Sequence, residues 1–332
     1  MNFSLHHRRI FLYYFPGAVL LLVLSFFLSL FLGAAEISAG ELLRTLFIGE
    51  QNAILREIRI PREVGAVLTG AALASAGAVM QGMTRNPLAD PGLLGLTAGA
   101  NFALAVAMVF LPVTNYVGLM AACMGGAAFA AGIVFGVNRA AKGPVSPFRI
   151  VLAGAAVTAF FQAGAEGLGL LYGISQDISM WTAGGLIGTN WLQVQIIAPV
   201  IGGSLLLAFG LSRQLTLLHL NEDTAVGLGQ RTELVKGLLF LTVILLAGAA
   251  VALVGNMAFI GLMIPHIVRP FTGNDYRLIL PMSALIGAVF MLLADTAGRT
   301  LNAPYETPVA AIVSILGLPF FLWIVKKGGR SL

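Results

Sequence analysis

Long apolar stretches alternate with short polar segments along almost the whole chain. A bilayer needs roughly 20 apolar residues for each helical crossing, because its hydrocarbon layer is about 30 Å thick. The pattern therefore predicts an all-α integral membrane protein with about ten transmembrane helices. The predicted spans are Tyr13–Leu32, Val64–Met83, Leu93–Leu111, Val117–Val137, Ile150–Tyr172, Leu192–Leu211, Leu234–Val254, Met257–Phe271, Leu278–Ala297 and Val309–Val325.

One polar segment near the middle of the chain, residues 212–236, lies between apolar helices on both sides. We call it the insert, and we place it within a single membrane domain that comprises residues 1–332. Asn221 is a suitable helix cap, and Gly227 and Gly229 permit a tight turn, so we expect two short helices. The insert also keeps five apolar side chains that a cytoplasmic partner could grip in a groove, namely Leu217, Leu218, Leu220, Val226 and Leu228.

The two halves of the chain share a small-residue motif. Gly70–Ala74 followed by Gly77 in the second span reappears as Gly248–Ala252 followed by Gly255 in the seventh. The seventh span comes five crossings after the second, and because five is an odd number the two copies cross the membrane in opposite directions. Spans 2–5 and 7–10 therefore form an inverted internal repeat, which is typical of transporters.

Prolines and paired glycines predict breaks in the helices. The clearest break is Asn86–Gly92, where two prolines end one helix before the next begins. We expect a similar break around Pro265, and a short helical piece between Gly185 and Trp191. Irregular backbone at membrane depth must be covered by protein or line a cavity, so these breaks are candidate parts of a pore wall.

Composition agrees with a lipid environment, because 58% of the 332 residues are hydrophobic and only 10% are charged. The net charge of +5 could indicate nucleic acid or the positive-inside bias of a membrane protein. With ten spans, most of the 19 Lys and Arg residues fall on one face together with both termini. We therefore predict a multi-pass membrane protein with cytoplasmic termini and no nucleic-acid partner.

Catalytic motifs are absent from the sequence. There is no Gly-x-x-x-x-Gly-Lys-Ser/Thr phosphate loop, no His-Glu-x-x-His pair and no Gly-x-Ser-x-Gly elbow, and Cys123 is the one cysteine. We predict a non-catalytic subunit without a cofactor or bound metal. Glu166 is the carboxylate expected deepest in a span, where it either faces a translocation pathway or is hydrogen-bonded at a helix interface near Gln162.

Three arginines fall on the face where the topology leaves little positive charge. Arg59, Arg62 and Arg299 could together dock a soluble partner that carries acidic side chains. Each alone could equally be a surface arginine near lipid headgroups. Asp295 lies one helical turn before Arg299, so the two could form an ion pair.

Motifs in both halves resemble those of one family. In the first half they are Arg59–Arg62, Gly70–Gly77, Met80–Gly82 and Asn86–Gly95, and in the second Gly255, Phe259–Arg269, Leu293–Asp295 and Leu316–Phe320. This set is similar to that of the FecCD family, permeases of ABC importers for iron siderophores, haem and cobalamin. The resemblance covers nearly the whole chain.

The resemblance implies a location in the cytoplasmic membrane of a bacterium and an assembly of several subunits. A permease of this family pairs with a second permease subunit, identical or different, with two cytoplasmic ATPases and with an extracytoplasmic binding protein. Arg59, Arg62 and Arg299 match family arginines that meet glutamates of the binding protein. The segment from His219 to Glu233 matches the coupling helices seated in the ATPase. Within it the candidate coupling residues are Asn221, Glu222, Ala225, Gly227, Leu228 and Gly229.

The resemblance also implies gates at the cytoplasmic face. Asn86 and Leu88 fall where a vitamin B12 permease of the family carries one gate. A second gate lies just before Arg149, where Pro147 and Phe148 replace the small hydroxyl residues of the family.

The leading hypothesis is the membrane subunit of an ATP-driven importer of a ferric siderophore, with haem or cobalamin as alternative cargo. An ion-coupled secondary transporter also uses inverted repeats, but it should carry ion ligands near the midplane, where Glu166 is the one candidate. A membrane-embedded enzyme is a third possibility, which the missing catalytic motifs oppose.

Overall fold

A computed structural model describes residues 2–32, 40, 44, 52–92, 95–111, 115–140, 147–303 and 305–328, without the side chains of residues 2–12, 138–140, 147–151 and 327–328. Its helices are α1 (Asn2–Phe31), α2 (Ile60–Thr84), α3 (Leu96–Phe110), α4 (Tyr116–Ala140), α5 (Pro147–Tyr172), α6 (Ser175–Thr182), α7 (Trp191–Gly210), α8 (Ser212–Leu220), α9 (Glu222–Gly227), α10 (Thr232–Val254), α11 (Ile260–Thr272), α12 (Tyr276–Thr300) and α13 (Val309–Gly328). A π-helical turn, Ile54–Arg59, precedes α2.

Ten of these helices coincide with the ten predicted spans, which confirms the fold class. Seven helical segments among the described residues are long and apolar enough to cross a bilayer, and α3 is apolar but shorter. The remaining helices are α5 with 26 residues, α11 with 13 residues, and the shorter α6, α8 and α9.

The packing of the helices repeats between the two halves, as the shared motif predicts. The first helix of each half, α2 or α10, packs against the third helix of the other half, so α2 contacts α12 and α10 contacts α4. It also packs against the second helix of the other half, through the pairs α2–α11 and α10–α3. The first helices of the two halves, α2 and α10, also contact each other.

Two glycines of the shared motif let α2 approach its neighbours at backbone distance. A Cβ atom on Gly70 would lie 2.2 Å from the carbonyl oxygen of Gly287 in α12. A Cβ on Gly77 would lie 2.0 Å from the carbonyl oxygen of Gly261 in α11. Lipid gives helices no hydrophobic drive to associate, so this close contact is a main source of cohesion.

We expect Gly77→Ala to destabilise the protein by about 1–3 kcal/mol, because the added methyl group must push α2 and α11 apart. Gly132→Ala is the matched control, since a Cβ built at Gly132 meets no atom of another described helix within 4 Å. The measurement is the unfolding midpoint of the detergent-solubilised chain. Equal midpoints for the two variants would contradict the close contact.

The backbone breaks at two places, and one of them differs from the prediction. Residues Arg85–Gly95 separate α2 from α3, as expected. The second break is at Gly255–Phe259 and not around Pro265, because α11 continues through that proline. Pro265 has no N–H to donate to the carbonyl of Gly261, and the side chain of Gln81 donates to it instead at 3.1 Å.

The short helical piece expected between Gly185 and Trp191 is also misplaced. The short helix α6 comes before Gly184, and the chain from Gly184 to Asn190 is not helical. This segment turns back onto the end of α10, where the N–H of Gly185 donates to the carbonyl of Val254 at 3.0 Å. The hydrogen bond gives a partner to the carbonyl of Val254, one of the carbonyls at the end of α10 that have no partner within the helix.

The long helices define two opposite faces of the protein. Helix α2 has 25 residues and is therefore about 37 Å long, enough to cross a bilayer. Arg62, in its first turn, contacts the C-terminal part of α12, whereas Arg85, just after its last turn, contacts the insert. We call these the arginine face and the insert face.

Candidate functional site

On the arginine face, Arg62 binds two carboxylates at once. Its Nε and Nη2 atoms donate to Asp295 at 2.9 Å each, and its Nη1 and Nη2 atoms donate to Glu306 at 2.9 and 2.8 Å. Asp295 is fully buried in α12, whereas the side chain of Glu306, in the loop between α12 and α13, is 30% exposed. Fork-to-carboxylate pairs of this kind fix orientation as well as adding energy.

Arg299 extends the same group of charges inward. Its Nη2 atom lies 2.7 Å from Glu63, and its Nε atom lies 3.2 Å from Asp295. It also donates to the hydroxyl of Ser29 at 2.7 Å, and that hydroxyl donates in turn to Glu63. The ion pair of Asp295 and Arg299 predicted from their spacing is therefore present. We refer to Arg62, Glu63, Asp295, Arg299 and Glu306 as the ion network.

Arg59 is buried beside the ion network. Its guanidinium donates to the carbonyls of Leu30 and Phe31 at the end of α1. The π-helical turn Ile54–Arg59 holds this position, and the indole N–H of Trp191 donates to the carbonyl of Arg56 in the same turn at 2.7 Å. These contacts join α1, α2 and α7 at the arginine face.

The three arginines predicted for docking thus lie together on one face, but their head groups are largely buried. Arg62 and Arg299 already form ion pairs with carboxylates of this chain. The alternative interpretation, that each arginine is an unpartnered surface residue, is therefore wrong for Arg62 and Arg299.

Hydrogen bonds from Arg62 hold the pKa of Glu306 below its ordinary value. The stabilisation from this pair is present above the unfolded pKa of Glu306 and is lost as pH falls through the folded pKa.

The insert forms two short helices, α8 and α9, at the opposite face. The side chain of Asn221 accepts from the N–H of Asp223 at 2.8 Å, so it caps α9 as predicted. Gly227 is the last residue of α9. Gly229 has a φ of +79°, in the left-handed region that side chains disfavour. It therefore allows the chain to turn tightly into α10.

Arg85 connects the insert to the end of α2, a contact that the sequence reasoning missed. Its Nε atom donates to the carbonyl of Leu218 at 2.9 Å, and its Nη2 atom lies 3.7 Å from Glu222. Lys236, at the start of α10, also pairs with Glu222. Arg85 has a φ of +52°, a conformation that is uncommon outside glycine. The sequence did contain a signal for this contact, because Arg85 is a charged residue between the end of a span and the proline break that begins at Asn86.

A second set of contacts joins the insert to α12. The hydroxyl of Thr216 accepts from the N–H of Tyr276 at 3.0 Å and also contacts Asp275. The ring of His219 packs against that of Tyr276, with centroids 5.2 Å apart. Burial, and then the charge of Arg269, lower the pKa of His219. A neutral imidazole therefore packs here at neutral pH.

Three of the five apolar side chains that the sequence singled out in the insert project from it. Leu220, Val226 and Leu228 are each more than half exposed, and Leu228 is 67% exposed. Leu218 and Ala225 are buried and hold the insert against the helices. The five apolar residues predicted to be gripped therefore have different roles, with Leu217 also partly packed in the core.

The candidate gate residues fall on the insert face. Asn86 accepts from the N–H of Leu88 at 2.9 Å, which folds the break after α2 into a tight turn. Both side chains are partly exposed. Pro147 and Phe148 form the first turn of α5 in the backbone, and their side chains lie outside the described part of the chain.

Glu166 lies on an exposed face of α5, one turn after the exposed Gln162. It is six residues before the end of α5, closer to the arginine face than to the centre of the helix. The exposed residues near it on this face are the small Ala159 and Ala163 and the larger Gln162 and Leu170. A carboxylate on a lipid-facing surface is costly, so this face of α5 requires a covering partner or water.

Curated relatives of this chain are transport proteins. The chain is 43% identical to the "Iron(3+)-hydroxamate import system permease protein FhuB" of Bacillus subtilis over 94% of this chain and 82% of that protein. It is 36% identical to the "Fe(3+) dicitrate transport system permease protein FecC" of Escherichia coli over 95% of this chain and 96% of that protein.

A solved structure, "An inward-facing conformation of a putative metal-chelate type ABC transporter", matches 97% of this chain and 99% of its own, with a TM-score of 0.80 and 28% identity. The apolar helices and these relatives identify a multi-pass bacterial membrane protein. The family model described as "FecCD transport family" matches residues 21–327. The resemblance seen in the motifs is confirmed, and the chain belongs to the FecCD transport family.

Proposed function

We propose that this chain is the membrane-spanning permease subunit of an ATP-driven importer that carries a ferric siderophore across the bacterial cytoplasmic membrane. The observation that carries the proposal is the placement of two candidate partner surfaces at opposite ends of α2. Exposed apolar side chains of the insert lie at one end, and arginines lie at the other. The iron-import names of the relatives supply the cargo class.

In this proposal the insert face is cytoplasmic and binds the ATPase. Two observations support the same side for both termini. α1 ends at the arginine face, where Ser29 joins the ion network, so its N-terminal end lies at the insert face. α13 begins after Glu306 and runs away from the arginine face. Cytoplasmic termini agree with the excess of positive charge expected on that side.

A second permease subunit, identical or different, would cover the exposed face of α5. The cargo would pass between the two subunits, with Glu166 beside its path and Asn86 and Leu88 at the cytoplasmic exit. A large chelate requires a wide passage with weakly binding walls, since tight binding at any point stops conduction. The exposed alanines around Glu166 suit this requirement.

The test is uptake by proteoliposomes that contain the chain with the subunits and binding protein that copurify from native membranes. We expect ATP-dependent entry of a ferric hydroxamate, with ferric citrate, haem and cobalamin as competing cargoes. Entry of any of these down a proton or sodium gradient without the ATPase would instead favour a secondary transporter. A preference for haem or cobalamin would replace the ferric siderophore as the proposed cargo, and the ATP-driven mechanism would still hold.

The contact of Arg85 with the insert predicts a role in coupling. We expect Arg85→Asn to reduce transport per ATP hydrolysed about three- to fivefold, because a half-exposed charged hydrogen bond contributes roughly 1 kcal/mol. Asparagine tolerates the left-handed backbone, so the fold is retained. Arg213→Asn is the control, since Arg213 is an exposed cation of α8 on the same face. An equal loss in both variants would remove the role of Arg85.

A further inference from the structure

Glu306 occupies an unusual position in the ion network. Arg62 holds two carboxylates of this chain, and they differ in access to solvent. Asp295 is fully buried beneath the guanidinium, whereas Glu306 covers the other edge from a surface loop and is 30% exposed. Asp295 is therefore a permanent partner, and Glu306 is the partner that an approaching protein would meet.

The loop that carries Glu306 has its own attachments. The N–H of Thr307 donates to the carbonyl of Gly298 at 2.9 Å, and the N–H of Tyr305 donates to that of Asn302 at 2.9 Å. Leu301 and Tyr305 are largely exposed. Neither of these backbone hydrogen bonds uses the Glu306 side chain, so that side chain can turn away from Arg62 while both bonds persist.

The charges of this region cancel while Glu306 is in place. Arg59, Arg62 and Arg299 carry three positive charges, and the three carboxylates of the ion network balance them. An acidic partner then meets no net positive charge. If Glu306 turns away, one positive charge returns, and the outer edge of the Arg62 fork is open to a new carboxylate in bidentate geometry.

We propose that Glu306 is an internal competitor that occupies the position of a partner carboxylate on Arg62, so that docking at the arginine face exchanges one carboxylate for another. The inference rests on the proposed docking role of the arginines and adds that an acidic side chain of this chain occupies the docking position beforehand. Exchange keeps Arg62 paired in both the free and the docked state. It lowers the net affinity of docking and makes release of the partner easy.

The test measures binding of the copurifying binding protein to the complete transporter in lipid nanodiscs. We expect Glu306→Gln to tighten binding about five- to tenfold, because glutamine competes only as a neutral acceptor. Dissociation should slow correspondingly. Glu57→Gln is the matched control, since Glu57 is an exposed acid on the π-helical turn at the same face. A general change of surface charge would affect both variants equally.

Unchanged or weaker binding of the Glu306→Gln variant, or equal tightening by Glu57→Gln, would overturn the exchange. The variant keeps the bidentate pair of Arg62 with Asp295, so its fold should persist, and the unfolding midpoint checks this. The Arg59→Gln variant tests the docking role of the arginines separately from the exchange of carboxylates on Arg62. If it weakens binding but Glu306→Gln does not tighten it, the exchange alone is wrong. If Arg59→Gln and Glu306→Gln both leave binding unchanged, the docking role itself fails.

Discussion

Replacing Asp295 with alanine is expected to lower the free energy of unfolding by about 3–5 kcal/mol, which is typical of breaking a buried ion pair from one side. Asp295 is fully buried and is shared by Arg62 and Arg299. Its removal leaves two buried guanidinium groups with one carboxylate each. The loss of charge compensation exceeds the loss of packing, because an alanine cavity at this site is small.

A surface carboxylate at the other end of α12 provides the comparison. Asp275 caps the helix and pairs with Arg277, and both side chains are partly exposed. Asp275→Ala should lower the free energy of unfolding by about 1–2 kcal/mol, from the lost cap and the weak surface pair. The measurement is equilibrium unfolding of the solubilised chain in denaturing detergent. Similar losses in the two variants would mean that Asp295 does not hold the fold together.

Asp295→Asn separates charge from shape. Asparagine fills the same volume and still accepts a hydrogen bond from Arg62, but it carries no charge. A loss close to that of Asp295→Ala would assign the stabilisation to charge, and a small loss would assign it to packing. The result also bears on docking experiments, because reversing the charge of Arg62 or Arg299 would damage the ion network as well as any docking surface.

The helices could be predicted from sequence because the signal for each is local. Seven helical segments among the described residues are long and apolar enough to cross a bilayer by themselves. The repeated Gly70 and Gly248 segments are visible without any contact information. The cap at Asn221 is also local, since it depends on neighbouring backbone. The predicted helices and the cap at Asn221 are present in the structure because tertiary packing strengthens what the local sequence already favours.

The ion network could not be predicted as a whole, because its members come from distant parts of the chain. Glu63 and Glu306 received no role from sequence, and Ser29 is one hydroxyl in a long apolar helix. A signal did exist for Glu63, since an acid in the first turn of an otherwise apolar span needs a partner. Its identity required the packing of α2 against α12.

The break expected at Pro265 fails for a similar reason. A proline inside a helix normally frees the carbonyl four residues earlier, and a sequence gives no indication of what could satisfy it. Here the side chain of Gln81 on α2 donates to the carbonyl of Gly261, so the helix continues. The close approach of Gly77 to Gly261 brings that side chain within reach. A tertiary contact has overridden a local rule.

The largest functional effect is expected from Leu228→Asp in the insert. Leu228 is 67% exposed, so the substitution leaves the packing of the chain unchanged. In the proposed assembly this side chain enters an apolar groove of the ATPase, where an unpaired carboxylate is strongly unfavourable. We expect transport per ATP hydrolysed to fall at least about tenfold, the range of an interface side chain worth 2 kcal/mol or more.

Leu228→Met is the matched control, because methionine keeps the apolar character and nearly the same volume. It should retain coupled uptake, whereas the aspartate variant should hydrolyse ATP without moving cargo or should lose the ATPase during purification. Either result is measured by uptake and phosphate release in the same proteoliposomes. Normal uptake by Leu228→Asp would mean that the insert is not gripped through its exposed apolar side chains. The coupling proposal would then have to rest on the charged contacts of Glu222 instead.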